Sequence, residues 1–355
     1  MPNMNDWRSM TDMVDVTRTI YNHLQDEESK HIFENRLLYT LTGDGRYIRR
    51  MLSQLPAKHE LDLAAAFCRT HLDKVVFYGA GNDLKLLTEL YPDLDISCIC
   101  DGSRKKQQEG WRGIPVISPD ELIEQRDHVY VAIATSGFYR EIRKFLEEHG
   151  FRQDQIINLS MVTDIEKQYF DPGIMVPGSG EVFVDGGCFN CSTDREFIRW
   201  CSGDYKKIYA YEPDRRNYEN CLELCRKEQI ERIEIFNKGL WDCAAELSFR
   251  ETGGQGSAIE EGTGMTCIST TSIDETAGGE NVTFIKLDVE GAERKALQGA
   301  RKTIKRDRPR LAVSVYHKAE DIIELPAYIL SLHEDYRLYL RHYQMSTCET
   351  ILYAL

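Results

Sequence analysis

The acidic and glycine residues of Glu181–Asp194, EVFVDGGCFNCSTD, have the types and spacing needed to bind a nucleotide-like ligand. The apolar run Val182–Val184 predicts a strand with Asp185 at its tip. Gly186 and Gly187 then turn the chain, and Thr193 or Asp194 opens a helix running through Phe197, Ile198 and Trp200. A strand tip, a glycine turn and a helix N-terminus make a cradle in which backbone N–H groups face the ligand. Gly187 allows close approach because it carries no Cβ. A second strand, predicted over Ile208–Tyr211, ends in Glu212, whose carboxylate can accept both hydroxyls of a ribose.

A third strand tip supplies more carboxylates. Val282–Leu287, VTFIKL, reads as a buried strand and runs into Asp288-Val-Glu290-Gly-Ala-Glu293 at a helix start. Lys286 and Asp288 lie two apart and share one strand face. A lysine in an apolar strand requires a carboxylate partner. The strand predicted over Leu311–Tyr316 ends in His317, a side chain that titrates near neutral pH.

The chain has 11 cysteines. Their odd number and scatter predict reduced thiols in a cytosolic protein. Cys188 and Cys191 form a C-x-x-C within the glycine loop, a spacing suited to redox or metal chemistry, but no second C-x-x-C with zinc spacing appears. The loop's ligand-binding role already accounts for them, so neither is expected to be catalytic. Cys221 and Cys225 lie four apart on a predicted helix and read as a buried face. No metal is expected.

The 355 residues suffice for two domains with full cores. A formal net charge of −14 disfavours a nucleic-acid partner. The start of the chain lacks the pattern of a signal peptide, and no apolar run reaches the length of a membrane span. The expectation is a soluble, cytoplasmic protein acting on a small molecule or glycan.

The elements that must position these residues follow in order. Residues 1–72 read as a helical segment. Met10, Met13, Val14, Thr17, Ile20, Tyr21 and Leu24 form one apolar stripe, Phe33, Leu37, Leu38 and Leu41 a second helix stopped by Gly43, and Leu61–Cys68 another. Packing or homodimerisation is their expected role. Residues 73–160 read as an α/β domain. Its strand Val75–Tyr78 runs into Gly79-Ala80-Gly81, a helix carries Leu84, Leu87 and Leu90, and a strand over Ile96–Cys100 ends in Asp101. This is a dinucleotide-binding layout with Leu84 where a third glycine would stand. Gly79, Gly81 and Asp101 are therefore a candidate second nucleotide site, with docking of a partner as the alternative. Strand Val129–Ala134 and helix Tyr139–His149 complete this part. Residues 161–180 read as a linker, 181–355 as the domain bearing the site, and Gly253–Gly264 as a mobile functional loop. Tyr336–Tyr343 and Glu349–Leu355 alternate like a closing antiparallel pair.

Two resemblances follow from these residues. GAGN, the Asp101 tip and GIPVISPDEL resemble the Rossmann-like N-terminal domains of bacterial sugar acyltransferases and related sugar-modifying enzymes. VFVDGG, TSIDE (Thr271–Glu275) and above all IKLDVEGAE (Ile285–Glu293) resemble the FkbM family of S-adenosylmethionine-dependent methyltransferases. That family usually has a second glycine where Cys191 stands, and often Asn or Tyr where Phe189 stands. The resemblance implies two Rossmann-like domains, the C-terminal one a class I methyltransferase with a seven-stranded sheet. It implies O-methylation of a sugar, nucleotide-sugar or natural-product hydroxyl. S-adenosylmethionine would be bound by Asp185, Gly186, Gly187, Glu212, Asn237, Asp242 and Asp288. His317, more than Asp288, is the expected proton acceptor, with Asp288 orienting the methyl group or the acceptor. The competing readings are a nicotinamide-dependent oxidoreductase using the first α/β unit, and a non-catalytic nucleotide-sensing module.

Overall fold

The computed structural model describes residues 10–135, 138–160, 167–250, 258–259 and 266–355. They divide into two compact units. One comprises Met1–Tyr47, Glu166–His342 and Thr347–Leu355, the other Ile48–Ile165 and Tyr343–Ser346. The helical stretch expected as one segment over 1–72 is thus shared between the units, parting after Tyr47.

The unit of Ile48–Ile165 holds β1 (Val75–Tyr78), β2 (Ile99–Cys100), β3 (Val116–Ile117), β4 (Tyr130–Ile133) and β5 (Ile156–Asn158). They form one parallel sheet in the order β3-β2-β1-β4-β5. All four residues of β1 are buried, as a central parallel strand covered on both faces requires. The strand expected over Ile96–Cys100 is shorter, keeping only Ile99–Cys100 in the ladder.

The other unit carries β6 (Glu181–Gly186), β7 (Tyr205–Tyr211), β8 (Ile233–Phe236), β9 (Gly239–Leu240), β10 (Glu246–Arg250), β11 (Ala258–Ile259), β12 (Thr266–Thr271), β13 (Phe284–Leu287), β14 (Arg310–Ser314), β15 (Leu338–His342) and β16 (Thr350–Ala354). Seven of these make one sheet in the order β15-β16-β14-β13-β6-β7-β8. β6, β7, β8, β13 and β14 run parallel, while β16 is antiparallel to both β14 and β15. Strand order reverses between β6 and β13, and a ligand crevice forms outside the carboxyl ends of strands at such a switch point. All three expected acidic tips, Asp185, Glu212 and Asp288, lie at this end.

A small sheet, β11-β10-β12-β9, was not anticipated from the sequence. Apart from β11, the glycine-rich stretch Gly253–Gly264 lies outside the described residues.

Behind β6, Phe183 stacks on Phe197 of helix Ser192–Trp200 with centroids 4.3 Å apart, and Phe170 and Phe284 close the cluster. This aromatic layer fixes the helix that follows the glycine loop. At the far edge, helix Glu27–Thr42 covers β15. Asp26 caps it by accepting the Ser29 N–H, and Gly43 ends it at φ 68°. Ser29 Oγ accepts the Leu340 N–H at 2.9 Å, and Arg341 pairs with Asp26 at 2.7 Å. A helix in this place removes an open edge strand.

Candidate active site

The first strand tip is held by a buried ion pair. Lys286 on β13 is 2% exposed and donates to Asp185 Oδ1 at 2.9 Å, Gly186 O at 3.1 Å and Gly187 O at 2.7 Å. Burial works against the lysine cation, but Asp185 and Asp288 outweigh it and raise its pKa. The carboxylate partner expected for Lys286 is therefore Asp185, across the strands, with Asp288 contributing from a distance. Asp185 is wholly buried, beneath the loop it helps to hold. At Gly187, φ is +80° and a Cβ would stand 2.0 Å from the Asp288 carbonyl oxygen. Only glycine fits where these two strand tips meet.

Glu212 stands at the neighbouring tip, just past β7. Its Oε2 accepts the Phe189 N–H at 3.0 Å and its Oε1 the Asp214 N–H at 2.9 Å. Burial pushes its pKa up to about 7. Each oxygen keeps a second lone pair, so the carboxylate joins the glycine loop to its own strand and retains acceptor capacity. Asn237, just past β8, uses its amide to hold the Glu212 and Pro213 carbonyls, each at 3.0 Å. Asp242 pairs with Lys295 at 2.6 Å, and that pairing holds its carboxyl below the usual range.

The third tip brings together groups from four parts of the chain. Asp288 keeps 25% of its side chain exposed. It accepts the Tyr169 hydroxyl at 2.8 Å and the Tyr316 hydroxyl at 3.3 Å. Burial pushes its pKa up, but Lys286, His317 and the Tyr169 hydroxyl more than offset this and hold it below the usual carboxylate range. His317, three residues beyond the end of β14, places Nδ1 2.9 Å from Glu293, and Nε2 3.4 Å from Glu290 and 3.5 Å from Asp288. Burial alone would lower its pKa; Glu293, Asp288 and Glu290 together push it up to about 9. Against the expectation of a neutral proton acceptor at this position, the three carboxylates favour the protonated form of His317. Glu349 accepts from Tyr316 and Gln168, and burial pushes it up to about 7.

Sequence reasoning missed Tyr169, Tyr316 and Glu349. Tyr316 could have been found as the neighbour of His317 on an alternating strand end. Tyr169 arrives from the expected linker and Glu349 from the turn before β16, and neither stands in a motif. In the other unit, Asp101 accepts the Ala80 N–H, the Ser103 N–H and Lys106, so it closes the Gly79–Gly81 loop onto its own strand.

Residues 188–345 match the family model described as the methyltransferase FkbM domain. The resemblance to the FkbM methyltransferases read from the sequence is thus matched by a family model over this part of the chain. The match begins immediately after the Gly186-Gly187 turn, and it includes Glu212, Asp288 and His317. Residues 71–157 match a second model, the C2185-like N-terminal domain. No curated protein matches the chain. Among solved structures, the chain is similar to a methyltransferase FkbM from Methylobacillus flagellatus KT, at 19% identity and TM-score 0.49, over 84% of this chain and 99% of that one. It is also similar to an rRNA methylase from Streptococcus thermophilus, at 15% identity and TM-score 0.35, over 50% and 87%. A third is fibrillarin from Aeropyrum pernix, solved with natively bound S-adenosyl-L-methionine, at 12% identity and TM-score 0.32, over 50% and 67%. Among the described residues no helix is long and apolar enough to cross a membrane.

Proposed function

We propose that the FkbM domain binds S-adenosylmethionine and methylates a hydroxyl of a sugar, nucleotide-sugar or natural product. The observation that carries the reading is the pairing of Gly187 with Glu212. A turn that admits no Cβ lies one hydrogen-bonded residue, Phe189, from a carboxylate at the next strand tip. That arrangement suits a nucleoside: main chain against its polar part, a carboxylate for the ribose hydroxyls. When bound, the cofactor supplies a methyl group on a cationic sulfur.

The chain's own residues would do the rest. Three carboxylates against one imidazolium leave the third tip net negative, which favours a cation beside it. Asp288 faces this space with both oxygens oriented by tyrosine hydroxyls, and it is the group we assign to hold the acceptor hydroxyl and take up its proton. This reverses the order expected from sequence. His317, already protonated at neutral pH, instead fixes Asp288, Glu290 and Glu293 relative to one another. Alignment of the hydroxyl with the methyl group supplies much of the acceleration, and a positioned base adds about 10²–10⁴-fold.

Calorimetry with S-adenosylmethionine and S-adenosylhomocysteine tests the first step. Binding of both, absent in Glu212→Ala, supports the reading. Binding of NAD in their place would turn it to the oxidoreductase.

A further inference from the structure

Two cysteine pairs far apart in sequence meet beneath the glycine loop. Cys188 and Cys191 come from the loop; Cys221 and Cys225 come from helix Arg215–Glu228, where four-residue spacing places both on one face. The Sγ atoms of Cys188, Cys191 and Cys221 lie within 4.8 Å of one another, with Cys188 and Cys221 4.0 Å apart. Cys225 packs in the same cluster, walled by Leu224, Ile230, Ile233 and Ile235. Cys188, Cys191 and Cys221 are at most 1% exposed and Cys225 8%.

We propose that these four cysteines form a structural zinc site that anchors the glycine loop to helix Arg215–Glu228. A closed zinc site takes four sulfurs at about 2.3 Å from the metal, which puts neighbouring sulfurs about 3.8 Å apart. The distance between Cys188 and Cys221 already approaches that edge. The pattern C-x-x-C followed by C-x-x-x-C, two ligands from a turn and two from a helix face, is a spacing such sites use. On binding, each thiol would release its proton to solvent as its sulfur–metal bond forms.

Two further features favour a ligand-holding cluster over four thiols packed as small apolar groups. Cys191 occupies left-handed backbone at φ 55°, a conformation that would suit glycine better. Its sulfur, not its backbone, is what this position keeps. Asp194, wholly buried in the first turn of the next helix, lies beside Cys191 with both carboxylate oxygens lacking a hydrogen-bond partner. A buried carboxyl in that state calls for a partner, and the Cys191 thiol is the group beside it. The site would also act on the loop above it, because Phe189, whose N–H reaches Glu212, lies between Cys188 and Cys191.

The test uses the full-length, untagged chain purified under reductant without chelator. Elemental analysis should find one zinc per chain. After stripping, titration with Co²⁺ under anaerobic conditions should develop a thiolate-to-cobalt charge-transfer band saturating at one equivalent. Cys221→Ser and Cys225→Ser should each weaken the band, whereas Cys243→Ser and Cys348→Ser, at exposed positions, should not. Three results would overturn the proposal: no charge-transfer band in the wild-type chain, cobalt bound with no thiolate band, or a Cys188–Cys221 disulfide recovered from freshly isolated protein in place of metal. The wild-type spectrum keeps the test decisive even if a serine variant fails to fold.

Discussion

Lys286 and Asp185 face each other across the β13–β6 boundary at matched register, and their side chains form a buried ion pair. It lies directly beneath the glycine turn, whose two carbonyls the same ammonium holds. Removing one partner leaves the other buried and uncompensated. Lys286→Met should therefore lower stability by about 3–5 kcal/mol, while a combined Asp185→Leu and Lys286→Met variant should recover much of the loss. Denaturant midpoints of the single and double variants check this.

Gly187→Ala should fail in two ways. The added Cβ meets the Asp288 carbonyl oxygen, and φ +80° is strained for alanine. We expect a stability loss of at least about 2 kcal/mol, since left-handed strain alone is worth about 1–3 kcal/mol, together with loss of cofactor binding. A folded variant with unchanged S-adenosylhomocysteine affinity would remove this turn from the binding site.

Glu212→Ala should weaken S-adenosylmethionine binding by about 2–4 kcal/mol, from charged hydrogen bonds of about 1.5–3 kcal/mol each that do not add fully. The pKa of Glu212 is raised to about 7, so its carboxylate form becomes complete only as pH passes that value. Cofactor affinity should accordingly rise between pH 6 and 8 in the wild type and lose that dependence in Glu212→Gln. Calorimetry across this range reads both effects.

His317 has a folded pKa of about 9 against an ordinary value of 6.5. A raised histidine pKa contributes stability in full below 6.5 and loses it as pH climbs through 9. The difference amounts to about 3 kcal/mol at 1.36 kcal/mol per unit. The wild type should lose stability between pH 6.5 and 9 by more than His317→Gln does, and the imidazole resonance should titrate near 9 by NMR. A midpoint near 6.5 would show that the three carboxylates do not act on it together.

For the chemistry, Asp288→Asn should lower kcat by about 10²–10⁴-fold with cofactor affinity within a few-fold, as loss of a positioned base predicts. Should His317→Gln show the larger fall in kcat, with wild-type activity still climbing toward pH 9, the proton acceptor would be the histidine.

Much of the frame was legible because strand interiors are apolar and their tips are not. Val75–Tyr78 has the bounds expected for it, and Asp185, Glu212 and Asp288 all come to the same end of one sheet. Charge state was less legible. His317 looks neutral in isolation, and only the fold brings Glu290 and Glu293 within 3.4 Å of it. The thiol cluster was hidden for a related reason. Neither cysteine pair makes a four-thiol cluster in its own segment, and their meeting depends on how helix Arg215–Glu228 returns under the glycine loop. Sequence order carries no sign of Tyr169, whose neighbour Asp288 lies 119 positions away.

Helix Glu27–Thr42 and the strand it covers are separated by most of the chain: Ser29 and Leu340 meet across 311 positions. During synthesis at about 5–20 residues per second, the helix would leave the ribosome roughly 15–60 s before its partner strand exists. Throughout that interval the apolar face bearing Ile32 and Phe33, both nearly inaccessible in the finished fold, stands without its native cover. The seven-stranded sheet is also completed only when β16 slots between β14 and β15. Residues 338–354 therefore close both the sheet and the seat of helix Glu27–Thr42, and the nascent chain must carry that helix unburied until they are made.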